Sequence, residues 1–475
     1  MSLGSVLSIA RSGMNAQQTI IQTAGHNIAN VQTEGYSRQR VELTENYPER
    51  WSYGSIGTGV VITNVTHARD EMLDASYRTE ASGAAASQLR HDLLASVEGV
   101  LGEPSDTGLS SAMDAFWSSW SDLASQPTST AARSVVQQRG NNVASILNSF
   151  DSRLTDLRSQ TLSQLETGLT QINTLAQQIA ALNGQITSSE VGGNTAGDLR
   201  DQRDLAIDKL AKLGSVRVIP ANDGSAQVEL GNNTIVDGVN ARTLETMTTS
   251  TGALALKLRN GVEPILPVGG TTQATLDFLN VDLVDTQGRL DALAQGLVTQ
   301  VNAAHTAGVT YSAAGVATAA PDFFDASMGL VTARSIRLST QVAASASNIA
   351  ASAAFPSGTN IAGPGNNEVA LSLAGFRSAP NLVTYVTPAG TTENDSFGNF
   401  YRDTASRLGT QVTNAGSDAQ VHDTLATQAD ARRQSVSGVN LDEELTTLMR
   451  AQQAYAAAAK VISTASEMMK TLVDM

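Results

Sequence analysis

The sequence predicts a mainly α fold, a long-helix bundle with a terminal coiled coil, carrying an inserted antiparallel β domain and a second, irregular α/β outer region. Three observations predict it. Apolar residues recur at alternating spacings of four and three at both ends of the chain. A helical period continues through 143–186, and between 215 and 270 it gives way to a period of two, with hairpin residues between the runs. Aromatic residues make up only 4% of the 475, while Ala, Ser, Thr, Gln and Asn abound. Long helices with small seams suit an assembly protein better than a deep catalytic pocket, and the length allows two to four domains.

Taken in order, Leu3, Leu7, Ala10, Met14, Gln17, Ile21, Ala24, Ile28 and Val31 form a heptad seam with one polar position. The helix is expected to run to about Val31, loosen over Gln32, Thr33 and Glu34, and turn at Gly35 into the extended segment "YSRQRVEL", closing a first unit at 1–65. A helical bundle domain is expected over 66–213. Val143, Leu147, Phe150, Leu154 and Leu157, then Leu165, Leu169, Ile172, Leu175, Ile179, Leu182 and Ile186, imply a helix or helix pair of unusual length there, ended by the glycine-rich "SSEVGGNTAGD".

The β domain is assigned to 214–270, from "SVRVIP", "AQVEL", "NTIV" and "ALALKL" with turns at "NDGS", "GNN", "VDG" and "RNG". Leu276, Leu279, Leu283, Leu290, Leu293 and Leu297 place a helix returning to the bundle over 271–310. Residues 311–396 form a variable outer region with strand-like pieces at "SIRLS" and "NLVTYV", and 397–436 another bundle helix. The last unit, 437–475, repeats the seam with Leu441, Leu445, Leu448, Gln452, Tyr455, Ala459, Ile462, Ser466, Met469 and Val473. Asn440 followed three residues later by Glu443 is a capping-box variant that starts this helix at about Leu441.

Charge and composition exclude several functions. Thirty basic and 45 acidic residues leave a net charge of −15, which repels phosphate backbones and anionic lipid, so neither nucleic acid nor membrane is expected as a partner. No apolar run approaches a membrane span, and the apolar start lacks the basic segment of a signal peptide, so any export must use another route. Cysteine is absent, which removes disulfides, thiolate nucleophiles and thiolate metal sites.

No P-loop lysine, nucleophile elbow or H-E-x-x-H pair is present. His26, His67, His91, His305 and His422 are scattered; "HARDE" at 67–71 and "HDLL" at 91–94 could offer a base or a ligand, but solvated helix faces account for them more simply. "FGNFYRD" at 397–403 reads as a core-facing helix start rather than an aromatic pocket, and "DLRDQRD" at 198–204 as salt bridges opening a helix. We expect no enzyme, no cofactor and no metal.

The junction "HNIANVQTEGYSRQR" at 26–40 remains. Asn27 and Asn30 share a helical face from which their amides could bridge neighbouring backbones, although a plain polar helix end is the competing reading. This stretch resembles the N-terminal signature of the axial proteins of the bacterial flagellum, N-N-I-A-N followed by T-x-G-Y or T-x-G-F, with His26 in place of the commoner first Asn. The extension through Gly35, Tyr36, Ser37, Arg38 and Gln39 resembles the hook-associated protein 1 branch, as do "GTGVVITNV", "RDEML", "DLRDQRD" and "SGVNLDEELTTLMRAQQAYAAAAKVIST". His67 stands where that family often has Arg, which bears on one local salt bridge.

The resemblance implies a structural subunit in a ring of identical copies between hook and filament, with paired terminal helices forming an inner tube and the middle domains facing outward. It implies as partners further copies of itself, the hook protein, a second hook-filament junction protein and a flagellar export chaperone on the C-terminal region. It also implies an extracellular place in the flagellum, reached without a cleaved signal peptide. Assembly contacts fall to Leu3, Leu7, Met14, Ile21, Asn27, Ile28, Asn30, Val31, Thr33, Gly35, Tyr36 and Arg38, and to Asn440, Leu441, Leu445, Leu448, Tyr455, Ile462 and Met469. A hook or other axial subunit, and a secreted enzyme docked by its helical ends, are the alternatives.

Physics alone adds one expectation. A lone terminal helix loses more backbone entropy than its few large aliphatic residues return, and Gly4, Gly13 and Gly25 weaken it further. Both ends should therefore be disordered in the free subunit and fold on joining one another and their neighbours.

Overall fold

The computed structural model describes residues 3–474 except 52–53, 192–194, 266, 312–315, 328, 355–362 and 389. The chain starts with α1 (Leu3–Ala29), then turns into β1 (Gln39–Glu45), β2 (Glu49–Trp51), β3 (Gly54–Ile56) and β4 (Val60–His67). β1 and β4 pair antiparallel from Gln39 opposite His67 to Glu45 opposite Val60. This hairpin lies on α1, where Ser12 Oγ accepts the Val60 N–H.

The helical body follows. α2 (Glu71–Leu101) is capped by Asp70, whose side chain accepts the Met72 and Leu73 N–H groups. α3 (Leu109–Ser125) packs on α4 (Thr130–Glu190), a single helix of 61 residues and thus about 90 Å long. The predicted long tract is therefore one helix, and it starts earlier than the leucine pattern showed. The centre of the expected glycine-rich stop, 192–194, lies outside the described residues. α5 (Gly197–Leu213) then folds back along α4.

The β insertion comprises β5 (Val216–Pro220), β6 (Ala226–Leu230), β7 (Asn233–Asp237) and β8 (Asn240–Ala241) in one antiparallel sheet in that order, and a ribbon of β9 (Leu244–Thr248) with β10 (Leu254–Leu258). The four predicted runs are all strands; β8 and β9 are additional. The return helix is α6 (Gly270–Asp277), a π turn at Phe278–Asp282, and α7 (Leu283–Thr306). The π turn presents Asn280 to β10, where its amide brackets Leu254 with two 2.8 Å hydrogen bonds, fastening the insertion to the body.

The outer region holds β11 (Gly308–Tyr311), β12 (Ala317–Ala319), α8 (Thr340–Ala344), β13 (Ser352–Ala353), α9 (Glu368–Gly375), β14 (Val383–Val386) and β15 (Thr392–Asp395). "NLVTYV" supplies β14, but "SIRLS" forms no strand and contributes only the isolated bridge from Leu338 to Phe324. α10 (Phe397–Ser437) starts with Phe397, Phe400 and Tyr401 buried in the body and runs antiparallel to α2, His422 seating against Gly83 and His91 against Gly416. α11 (Leu441–Val473) closes the chain against α1.

The body has a dry core. Phe116, Trp117 and Trp120 of α3 cluster with Phe323, Phe324 and Phe397, around the leucines of α4 and α7. His305 belongs to this core: its Nδ1 lies 2.7 Å from the Pro321 carbonyl, and its Nε2 accepts the Ala350 N–H at 2.9 Å. Those partners fix a neutral ring with the proton on Nδ1, and burial pulls its pKa down to about 4.

Candidate functional site

α1 and α11 lie antiparallel, because the end of one meets the start of the other at Asn27 and Glu444. Along α11 a heptad seam of sheltered residues runs through Glu444, Leu448, Ala451, Tyr455, Ala458, Ile462 and Ala465, flanked by half-buried Thr447 and Ala459. Of the predicted seam, Leu448, Tyr455, Ala459 and Ile462 are sheltered, whereas Leu445, Gln452 and Ser466 each lie one residue past a buried position. Ala451 and Ala465 are buried, while Gln452 and Ser466 face outward. Alanine at alternate positions lets two helices approach closely, and a search for large apolar residues slides off it.

Leu441, Leu445, Met449, Val461, Met468, Met469 and Val473 are all at least 40% exposed, so α11 carries large apolar residues that the described residues leave largely uncovered. On α1 the predicted seam is buried or half-buried from Leu3 through Met14 and Ile21 to Ile28, whereas Val31 is exposed. Its other sheltered positions, Ser12 and Asn27 among them, face β1 and β4.

The foot of the pair is polar and closely specified. Buried Asn27 donates to the Gln39 carbonyl (3.0 Å) and Glu444 (3.1 Å), and accepts from the Tyr36 hydroxyl (2.7 Å) and the Gln39 N–H (2.9 Å). Asn27 does bridge to neighbouring backbone; Asn30 does not. The Asn30 amide donates to the His26 carbonyl and accepts from Thr33 Oγ1, closing its own helix end. Burial, and then the charges of Asp198, Asp201 and Glu444, push the Tyr36 hydroxyl pKa up, so it stays a donor. Gly35 sits at φ +80° with Leu205 against it, so a side chain there would be strained and crowded at once.

Arg38 joins both ends of the chain: its Nε donates to Glu444 at 2.6 Å, another guanidinium nitrogen to Glu443 at 2.8 Å, and its backbone N–H to Ser437 at 2.9 Å. Asn440 caps α11 through the Asp442 and Glu443 N–H groups. The carboxylate of Glu443 meets Arg38, so the expected capping box is made on one side only.

Behind this foot lies a chain of ions that the sequence placed only in outline. Asp201 accepts the Ser37 N–H at 2.9 Å and the Ser37 hydroxyl, and lies 3.1 Å from His67 and 3.3 Å from Arg69. His67, at the position where the resembled family often has Arg, thus contacts a carboxylate. Arg69 reaches Asp204 at 2.6 Å and Asp74 at 3.4 Å; Arg78 and Arg433 both meet Asp208, and Arg433 lies over the Tyr77 ring. Burial lowers the Arg69 pKa, and Asp204, Asp74 and Asp201 more than reverse that; Asp74 is raised, chiefly by burial.

Ser37, His67 and Asp201 have the residue types of a hydrolytic triad but not its geometry. A triad places the imidazole between hydroxyl and carboxylate, one ring nitrogen to each. Here the same nitrogen, Nδ1, faces both, Ser37 donates directly to Asp201, and the hydroxyl is buried. The trio is a structural staple. Among the described residues no group of three or more side chains is arranged to hold a metal ion, and no helix is long and apolar enough to cross a membrane.

Residues 94–324 match the family described as the flagellar hook-associated protein FlgK helical domain. Residues 7–36 match the flagella basal body rod protein family, and 432–475 the C-terminal family of the basal body rod FlgEFG proteins. Flagellar hook-associated protein 1 of Bacillus subtilis is 29% identical over 98% of this chain and 97% of its own length. From end to end, the chain is similar to flagellar hook-associated protein 1. The Escherichia coli hook-associated protein 1 is 25% identical over 99% of this chain and all of its own. A solved structure, the flagellar hook junction protein FlgK from Burkholderia pseudomallei, superposes with a TM-score of 0.63 at 18% identity over 78% of this chain and 100% of its own, a likeness of fold. In this chain the rod-type matches fall on the axial pair, and the helical-domain match spans α3 to α7 and the β insertion.

Proposed function

We propose that this protein is a structural subunit of the bacterial flagellum that joins hook to filament, not an enzyme. The observation that carries the reading is the end-to-end similarity to hook-associated protein 1, with rod-type segments at both termini and the family's helical domain between them. A hook or rod subunit would share the termini but not that helical domain. The secreted-enzyme alternative loses its best candidate with the geometry of Ser37, His67 and Asp201.

In the proposed assembly, copies of the axial pair stand side by side as a ring and inner tube, and the body faces outward. The uncovered row on α11, from Leu441 and Leu445 to Met469 and Val473, is the surface that neighbouring subunits cover. Val31, at the foot of α1, adds to it. The hook protein and a second junction protein dock above and below the ring. An export chaperone shields the C-terminal row until the unfolded chain has left the cell.

The terminal helices order when this assembly forms. The pair is less bare than a lone helix, since β1, β4 and α11 share the cover of α1, but what it buries is largely alanine and polar groups. Deleting 441–475 and scoring filament attachment and secretion separately tests the reading. Loss of attachment with secretion retained is expected; retained attachment refutes the role given to that end.

A further inference from the structure

The charged motif that opens α5 divides by sign. Asp198 and Asp201, with Leu205 just beyond the motif, face the axial part: Asp198 meets Gln39 at 2.9 Å, Asp201 holds Ser37 and Leu205 lies against Gly35, while Asp204 holds Arg69 in the first crossing and lies 3.7 Å from Arg78 of α2. The motif's arginines face the body: Arg200 pairs with Glu190 of α4 through 2.7 and 2.8 Å hydrogen bonds, and Arg203 donates to Asn183 of α4 and to the Gly224 carbonyl in the β5–β6 turn. On a third side Ala206, Ile207, Leu210 and Ala211 are buried in the body. The helix is fixed to the body by packing and arginines, and touches the axial part through Asp198, Asp201 and Leu205.

That arrangement bears on orientation. The chain crosses between axial part and body at 68–70 and at 438–440, on either side of α2 and α10. The crossings lie close together, because the Arg38 N–H bonds Ser437 and its carbonyl accepts the Ala68 N–H. Two adjacent points alone leave the angle between the parts free; contacts that clamp the segments around them must set it. Asp201 is buried and gathers the 35–38 loop, the end of β4 and the first crossing through Ser37, His67 and Arg69. The geometry points to α5 as the coupling helix that fixes the inclination of the β1–β4 hairpin, on which α1 lies, against the body, with Asp201 as its positioning residue.

The chain has no cysteine, so paired spin labels at Thr44→Cys on β1 and Gln171→Cys on α4, both exposed, report the angle without background. β1 is labelled rather than α11, because the terminal helices are proposed to order only on assembly, and the free subunit is used so that the result stands apart from the hook-to-filament reading. The expected result is one narrow distance distribution in the parent, a broad one in Asp201→Asn and in Ser37→Ala with unchanged helical circular dichroism, and recovery toward the narrow peak in Asp201→Glu. A broad parent distribution, or Asp201→Asn as narrow as the parent, overturns the proposal. Should Asp201→Asn lose helicity, Ser37→Ala, which removes one hydroxyl, decides: broadening supports the lock and an unchanged peak refutes it.

Discussion

The body and the axial pair are both helical, yet they are built to opposite standards of completeness. The body buries Trp117, Trp120, Phe116 and Phe323 almost entirely, and large aliphatic residues of α4 and α7 surround them. The axial pair buries Ala10, Ala16, Ala24, Ala451 and Ala465, gives buried places to Asn27 and Glu444, half-buries Leu448, Tyr455 and Ile462, and leaves seven larger apolar residues of α11 exposed. Folding free energy follows buried apolar area, so the first part is self-sufficient and the second leaves apolar surface that its neighbours cover in the proposed assembly. Specificity runs the other way: the body is held by packing, the foot of the pair by directed hydrogen bonds.

The largest effect expected on that contrast comes from the body. Trp120→Ala should destabilise it by about 3–5 kcal/mol, read as a lowered urea midpoint of the main transition. A smaller effect comes from pH at His305. Its folded pKa of about 4 lies below the ordinary 6.5, so the unfolded chain binds the proton first. The stability it lends is complete above 6.5 and falls away as pH drops toward 4, by on the order of 3 kcal/mol. An imidazole still neutral at pH 5.5 by NMR is the expected sign, and a charged ring at that pH would sink the assignment.

Next comes the foot of the pair. Asn27→Ala strands the Tyr36 hydroxyl, the Gln39 N–H and an oxygen of Glu444, a loss of about 1–3 kcal/mol confined to the axial part. The main unfolding transition of the free subunit should not move, while filament attachment falls. The smallest effect has the opposite sign. Gly13 and Gly25 sit mid-helix with nothing near the space a methyl would fill, so Gly13→Ala and Gly25→Ala should each favour α1 by about 1 kcal/mol and raise the helicity of the free chain. A drop in helicity would show that those glycines serve close contact within the subunit.

Much of this contrast was legible beforehand, for identifiable reasons. α4 and the hairpins of the insertion announce themselves through period and turn residues, and Asn440 does cap α11. The α11 seam was half legible: Leu448, Tyr455 and Ile462 stand out, whereas alanines and the buried Glu444 give no hydrophobic signal. The partners of "DLRDQRD" were illegible, since Asp201 and Ser37 are 164 residues apart and nothing local says which acid faces which base. α8 and α9, short and set among small residues, lacked a period long enough to read.

Hydrogen exchange on the free subunit and on the assembled junction tests the central claim most directly. The account predicts that in the free subunit the amides of 130–190 are strongly protected while those of 3–29 and 441–473 exchange within the shortest labelling time, and that the terminal segments become protected on assembly. Terminal amides as protected as those of α4 in a dilute, monomeric sample would contradict it.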